Sequence, residues 1–393
     1  MFKSIPAKYA LPLVGLTIST FVFNTSEFMP IGLLMDISRS FAMTESQTGI
    51  MITAYAWVVA VLSLPLMLLV CNLPPRRLLL GTLALFAAGQ ILSGLSVTFP
   101  MLMASRIVVA CAHAIFWSIV APLATRLVTR QHRPMALSMV VIGSSVAMIF
   151  GLPLGRVVGL YAGWRITFLL IGFVTLALIG YQFFAFPKLS RSEPFTLHDL
   201  PQLLRQPVVL SVYFLAVLFP TAYFTAYSYI EPFLKLVAGF SDTSITTTLM
   251  LLGVSGLGGS FFFSHFYNNY RKAVLLVSLV FLVGALFLWQ TASSAAAIMV
   301  VVALVLGMAN ALFSAAFQTE LIRAVPISAA SVAMSIYSGI SNVGIGSGTW
   351  IGGKVMEHDL LPSIGYVGGC IGLVAIVFCV LVYFRLLKKV EEN

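Results

Sequence analysis

Glu27, Arg106 and His113 each interrupt a long run of apolar residues, and Asn24, Asn310, Ser338 and Asn342 do the same without charge. A carboxylate and an imidazole can pass a proton between them, and an imidazole's unperturbed pKa of about 6.5 suits it to share one near neutral pH. An ionisable group inside an apolar helix is costly, so each is read first as a functional candidate. The neutral amides and hydroxyls supply what a hydroxylated ligand needs, many uncharged donors and acceptors, and Trp117 or Tyr227 could offer an aromatic face to its C–H surface. Bland readings stand beside these. Glu27 could be a structural counter-ion of Arg106, Arg106 could snorkel to the outer surface, His113 could be a bonded core histidine, and Ser338 and Asn342 could bond backbone in a glycine-rich helix. Other chemistries lack their residues. There are no paired carboxylates, no nucleophile elbow and no metal cluster, so neither an enzyme nor a metal site is expected. No phosphate-binding loop is present, so no ATP is hydrolysed and no cofactor is expected. Cys71, Cys111, Cys370 and Cys379 lack ligand spacing and read as core filler.

The elements that must position these groups are set by composition. The 393 residues are 60% hydrophobic and only 9% charged, whereas a soluble domain carries roughly 25% charged residues. The chain therefore belongs in a bilayer. Spans are expected near Tyr9–Met35, Gln47–Val70, Leu78–Ser96, Met101–Thr125, Met135–Leu160, Ile166–Phe186, Val208–Leu234, Ser244–Phe266, Ala273–Thr291, Ala295–Glu320, Ala329–Val355 and Ser363–Leu387. The first is too long for a signal-peptide core and is read as a retained helix. With both termini in the cytoplasm, sixteen of the 22 basic residues fall on inner segments and five on outer ones, which favours that orientation. The +10 charge lies in short clusters between spans rather than on one face, so nucleic acid is not a partner.

Helix geometry then places the candidates by depth. At about 1.5 Å per residue, Glu27 lies about 12 Å from the outer end of helix one, with Asn24 a turn deeper on the same face. His113, Asn310 and Asn342 each fall about 20 Å from a helix end, near mid-membrane, and Arg106 precedes His113 by seven residues on nearly the same face. One polar layer could hold them all.

The polar stretch Pro187–Pro207 reads as a cytoplasmic linker, dividing the chain into six-helix bundles at 1–187 and 208–393 with 188–207 between. Shifting the sequence by 197 lays helices four and five over ten and eleven. His113 falls on Asn310, Phe116 on Phe313, Arg126 on Arg323, Ser138 on Ser335, Ser144 on Ser341, Gly151 on Gly348 and Gly155 on Gly352, with 13 identities in 52 positions from Val108 to Gly159. Parallel six-helix repeats of this kind are the layout of one large transporter class, whose substrate site sits at mid-membrane between the repeats.

The chain resembles the major facilitator superfamily and, within it, the proton-coupled drug and sugar exporters. Arg106 matches the family's basic residue in helix four, and Gly151-Leu152-Pro153-Leu154-Gly155 resembles the antiporter motif of helix five, which implies export. Close packing of small residues would explain the same glycines. Pro74-Pro75-Arg76-Arg77 occupies the family's loop between helices two and three, with Asn72 at the acidic position and the glycines gone. Asn24-Thr25-Ser26-Glu27-Phe28-Met29-Pro30, Tyr55-Ala56-Trp57, Ala112-His113-Ala114-Ile115-Phe116-Trp117-Ser118, Tyr227-Ser228-Tyr229-Ile230-Glu231-Pro232 and Ser338-Gly339-Ile340-Ser341-Asn342 are similar to the SotB-type sugar efflux transporters of Gram-negative bacteria. That resemblance implies proton-coupled export of arabinose and thiogalactoside-like sugars, with Glu27, His113, Ser338 and Asn342 as the functional set.

The expectation is an all-α membrane protein of twelve helices in the bacterial inner membrane, exchanging a small sugar for protons by alternating access and working as a monomer. Glu27, His113 and Arg106 would couple the proton. Asn24, Glu27, His113, Ser338, Asn342, Asn310, Trp117 and Tyr227 would bind the sugar. The rival expectation is a multidrug/proton antiporter for lipophilic compounds.

Overall fold

The computed structural model of the protein describes residues 7–70, 73–129, 132–189, 205–325 and 330–392. Cys71, Asn72 and most of the expected linker lie outside them. The described residues are helical throughout, with no strand. In chain order the long helices are α1 (Ala7–Phe28), α2 (Glu45–Val70), α3 (Pro75–Gly94), α4 (Phe99–Arg126), α5 (Arg133–Val146 and Leu152–Ala162), α6 (Trp164–Ala185), α7 (Pro207–Tyr227), α8 (Asp242–Phe266), α9 (Arg271–Ala292), α10 (Ala296–Ala324), α11 (Ala330–Glu357) and α12 (Ile364–Phe378 and Phe384–Glu392). Ten of them are long and apolar enough to cross a bilayer. The two that fall short, α1 and α11, are of spanning length but carry Asn24 to Glu27 and Ser338 to Asn342, whose polar atoms dilute the apolar stretch. Both hold candidate site residues, Asn24 and Glu27 in one and Ser338 and Asn342 in the other.

Four spans depart from the continuous helices expected, the twelfth through a π turn at Cys379–Tyr383 between its two segments. The first stops at Phe28, not Met35, and continues as a buried 3-10 segment, Met29–Leu33, and a short helix, Leu34–Ser40. Pro30 has no N–H to give to the carbonyl of Ser26 four residues back, so a rung of the α pattern is missing where the helix gives way. The seventh stops at Tyr227, ahead of a turn at Ile230–Pro232 and a π turn at Phe233–Val237. In α5 a π turn, Ala147–Gly151, joins the two segments just before Pro153, absorbing the missing donor without ending the span.

The chain groups into two compact units, one of Met1–Ile37 with Val61–Phe195 and one of Ser38–Ala60 with Thr196–Asn393. In the first, α3 packs on α4 and α6, and α1 on α5 and α6. Tyr181 Oη donates to Leu11 O at 2.8 Å and Gln182 Nε2 to Pro12 O at 3.4 Å, tying α6 to the start of α1. In the second, α7 packs on α11 and α12, and α10 on α8 and α9. The first part of α2 belongs to this unit, where Ser46 Oγ donates to Gly353 O at 2.7 Å.

Glycines set the closest approaches. A Cβ at Gly151 or Gly155 would run into Thr25 or Met29 of the first span, and one at Gly348 or Gly352 into Thr221, Thr225 or Tyr229 in or beside α7. These are the positions the 197-residue shift superposes. α1 thus docks against a bare rail on α5, and α7 against one on α11, the membrane form of close packing through small residues.

Candidate functional site

In the first unit the site is built on an aromatic stack. Phe23 of α1 lies between Phe86 of α3 and Phe116 of α4, with ring centroids 3.9 and 4.0 Å away. One turn beyond Phe23 on the same face is Glu27, and one turn before Phe116 is His113. Because α1 and α4 run in opposite directions, both steps lead the same way along the bundle. The two side chains meet there: Glu27 Oε2 is 3.5 Å from His113 Nε2, with 10% and 2% of the side chains exposed. The His113 and Trp117 rings follow each other along α4 at 5.9 Å. A carboxyl and an imidazole this close can hold one mobile proton, as a neutral acid beside a neutral ring or as an ion pair.

Arg106 does not snorkel; it is 2% exposed. Its guanidinium donates from Nη2 to Ser26 O at 3.2 Å and from Nη1 to Ser26 Oγ at 3.3 Å, and it faces the Phe168 ring at 5.7 Å. The carbonyl it reaches is the one Pro30 leaves without a helical donor. Gln90 of α3 also donates to Ser26 Oγ. Arg156 repeats the device further along the same segment, donating to Gly32 O at 2.9 Å. Backbone broken at membrane depth must be satisfied by the protein itself, and two buried arginines do so here. Asn24 is bonded within the same unit, donating to Ser144 Oγ of α5 at 2.8 Å.

The second unit holds the other candidates. Asn342 of α11 donates from Nδ2 to Ser338 O at 3.0 Å, while its buried Oδ1 accepts nothing. Tyr227 is buried, with its ring 4.8 Å from that of Tyr223. Asn310 of α10 is half-buried and Ser338 likewise. Sequence reasoning passes over Ser26, Gln90 and Tyr223. Gln90 has a signal, as the one amide among the apolar residues of helix three, whereas Ser26 gains its role only through Pro30 and Arg106.

Glu320 escapes it as well. This fully buried carboxylate near the end of α10 accepts from Tyr267, from Arg271 through Nε at 2.6 Å and through Nη2, and from Tyr383 Oη at 2.7 Å. It thereby ties α9, α10 and the final span together. A buried charge with this many donors is compensated in place. Shifted by 197, Glu320, Tyr267 and Tyr383 fall on Leu123, Val70 and Phe186 of the first half, so the anchor has no polar counterpart there.

The comparisons with known proteins agree with this architecture. The family model for the Major Facilitator Superfamily matches residues 16–319. Among solved structures, the chain is similar to a bacterial homologue of the human lysosomal transporter Spinster, seen inward-facing both unoccupied and occupied. Each match has a TM-score of 0.74 at 15% identity over 98% of both chains. At that identity the likeness speaks for the fold, and the family match, which spans most of the chain, speaks for the kind of protein. Multi-pass helices with polar groups buried among them, a glycine-railed repeat and this family match lead to one conclusion: the chain belongs to the major facilitator superfamily and is a transporter of small molecules, not an enzyme.

Proposed function

We propose that the protein exports small neutral sugars in exchange for protons. Glu27 and His113 carry the exchanged proton, with Arg106 holding the broken helix beside them, and Asn342, Ser338, Asn310, Asn24, Trp117 and Tyr227 face the sugar at successive stages of alternating access. The single observation that carries this reading is the buried Glu27–His113 contact at 3.5 Å. A titratable pair placed in apolar surroundings is costly unless its protonation is used. The orphaned Oδ1 of Asn342 supports the sugar half, since a buried carbonyl oxygen without a donor is matched by a ligand hydroxyl. In this reading the chain divides into six-helix halves around the 188–207 segment, sits in a bacterial inner membrane with both termini in the cytoplasm, and works as a monomer.

The buried aromatic surface of Phe219, Phe313, Tyr223 and Tyr227 favours the second reading, proton-driven extrusion of lipophilic compounds. Everted vesicles energised acid inside separate the two. Adding arabinose or isopropyl thiogalactoside should partly dissipate the gradient if sugars are exported, and a lipophilic cation should do so only under the second reading. Vesicles of well-folded protein that show no sugar-dependent proton flux would sink sugar/proton exchange.

A further inference from the structure

The aromatic stack that seats Glu27 against His113 occurs again in the second unit. Phe219 of α7 lies on Phe313 of α10 with ring centroids 3.8 Å apart and planes 11° from parallel. Phe313 is the repeat mate of Phe116 at a shift of 197, but Phe219 matches Phe23 at a shift of 196. That slip of one residue between α1 and α7 hides the correspondence from a linear comparison, which puts Glu27 on Phe224. Counted from the stacked rings instead, four residues past Phe219 is Tyr223 and three before Phe313 is Asn310. These are the steps that lead from Phe23 to Glu27 and from Phe116 to His113. As in the first unit, the two helices run oppositely, so both steps go the same way and bring the side chains to one level. The Tyr223 ring follows Phe219 along α7, 6.3 Å away and 12° from parallel, which keeps it on the same face.

Tyr223 is 1% exposed, and its hydroxyl has no hydrogen-bond partner. Three residues before Phe313 on α10, Asn310 is half-buried. A phenol and an amide are both donor and acceptor, neither charged near neutral pH. Beside Tyr223 lie the rings of Phe219 and Tyr227, and Phe313 stacks on Phe219. An orphaned donor inside an aromatic wall fits a ligand that carries a hydroxyl on an otherwise C–H surface.

We propose that Tyr223 and Asn310 form the second unit's counterpart of the Glu27–His113 pair, a neutral clamp that binds a hydroxyl of the transported sugar. The inference rests on the sugar-export reading and sharpens it. The titratable pair belongs to one unit and the non-titrating pair to the other, so proton and sugar are gripped by equivalent positions of a duplicated scaffold. Tyr223 then determines specificity for hydroxylated over purely apolar cargo.

Binding of arabinose and isopropyl thiogalactoside to the purified full-length protein tests it, with thermal stability measured in parallel. Tyr223→Phe removes one oxygen and keeps the ring. Affinity should fall roughly 5- to 150-fold while stability is held or rises, because the variant deletes a buried hydroxyl that bonds nothing. Asn310→Leu should weaken binding comparably, and the double variant should lose less than the product of the two, since both grip one hydroxyl. Unchanged affinity in folded Tyr223→Phe, or in folded Asn310→Leu should Tyr223→Phe not fold, overturns the clamp and leaves sugar export standing. Wild-type protein that binds neither probe overturns the export reading and the clamp with it.

Discussion

Pro30 explains more of this site than any charged residue does. By lacking an N–H it strands the carbonyl of Ser26, and Arg106 supplies the missing donor from another helix. Arg106→Met should therefore cost about 1–3 kcal/mol through the orphaned carbonyl. In a Pro30→Ala background the cost should shrink, because the substitution restores a backbone N–H that can donate to Ser26 O; equal thermal destabilisation in both backgrounds would dismiss the link. Glu27 answers to a different test. Glu27→Gln keeps shape and hydrogen bonding but removes the titrating proton, so sugar exchange should survive and uphill, gradient-driven export should fail. If Glu27 is instead only a counter-ion for Arg106, the variant should chiefly lose stability, and Arg106→Gln added to it should restore both stability and driven export. Legibility at this scale follows chemistry. Glu27, His113 and Asn342 stand out as polar letters in apolar text, and two of them do meet. Ser26 and Tyr223 stay hidden because a serine or a tyrosine acquires a role only from what packs beside it.

At the scale of elements, the spans are readable because hydrophobic length is written directly in sequence, and their interruptions are not. A proline at position 30 or 153 can end a helix, be absorbed by a π turn or be tolerated, and tertiary packing chooses among these. The glycines that resemble an antiporter motif have a packing role of their own. Gly151 and Gly155 face Thr25 and Met29, and their repeat mates Gly348 and Gly352 face the α7 backbone at Thr221 and Thr225. Gly348→Ala should consequently force α7 and α11 apart and destabilise by about 1–3 kcal/mol, the usual cost of overpacking. Gly284→Ala, where a Cβ meets nothing within 4 Å, is the control and should be neutral or mildly stabilising on a helix. Equal thermal shifts in the two variants would remove the rail from the account. The glycine pattern alone is thus no evidence for exchange as against uptake, and the direction of transport rests on the vesicle experiment.

Across the whole molecule the repeat is visible in sequence from Val108 to Gly159 and lost elsewhere, because α1 and α7 slip by one residue and because Tyr267 and Tyr383, which hold Glu320, have apolar mates at Val70 and Phe186. Duplication kept the stacks and rails and let the chemistry at equivalent positions diverge. The bonds that complete α1 come from far downstream in the chain: Arg106 lies 80 residues beyond Ser26, Ser144 lies 120 beyond Asn24, and Tyr181 and Gln182 lie 170 beyond Leu11 and Pro12. At about 5–20 residues per second of synthesis, the last partners follow roughly 10–30 s after the first helix has left the ribosome. For much of that interval a segment bearing Asn24, Ser26 and Glu27 has to wait at the membrane without Arg106, His113 and Ser144, so it needs shelter at the insertion machinery rather than release into lipid. Within the first unit, the helix that is translated first is completed only once the last has been made.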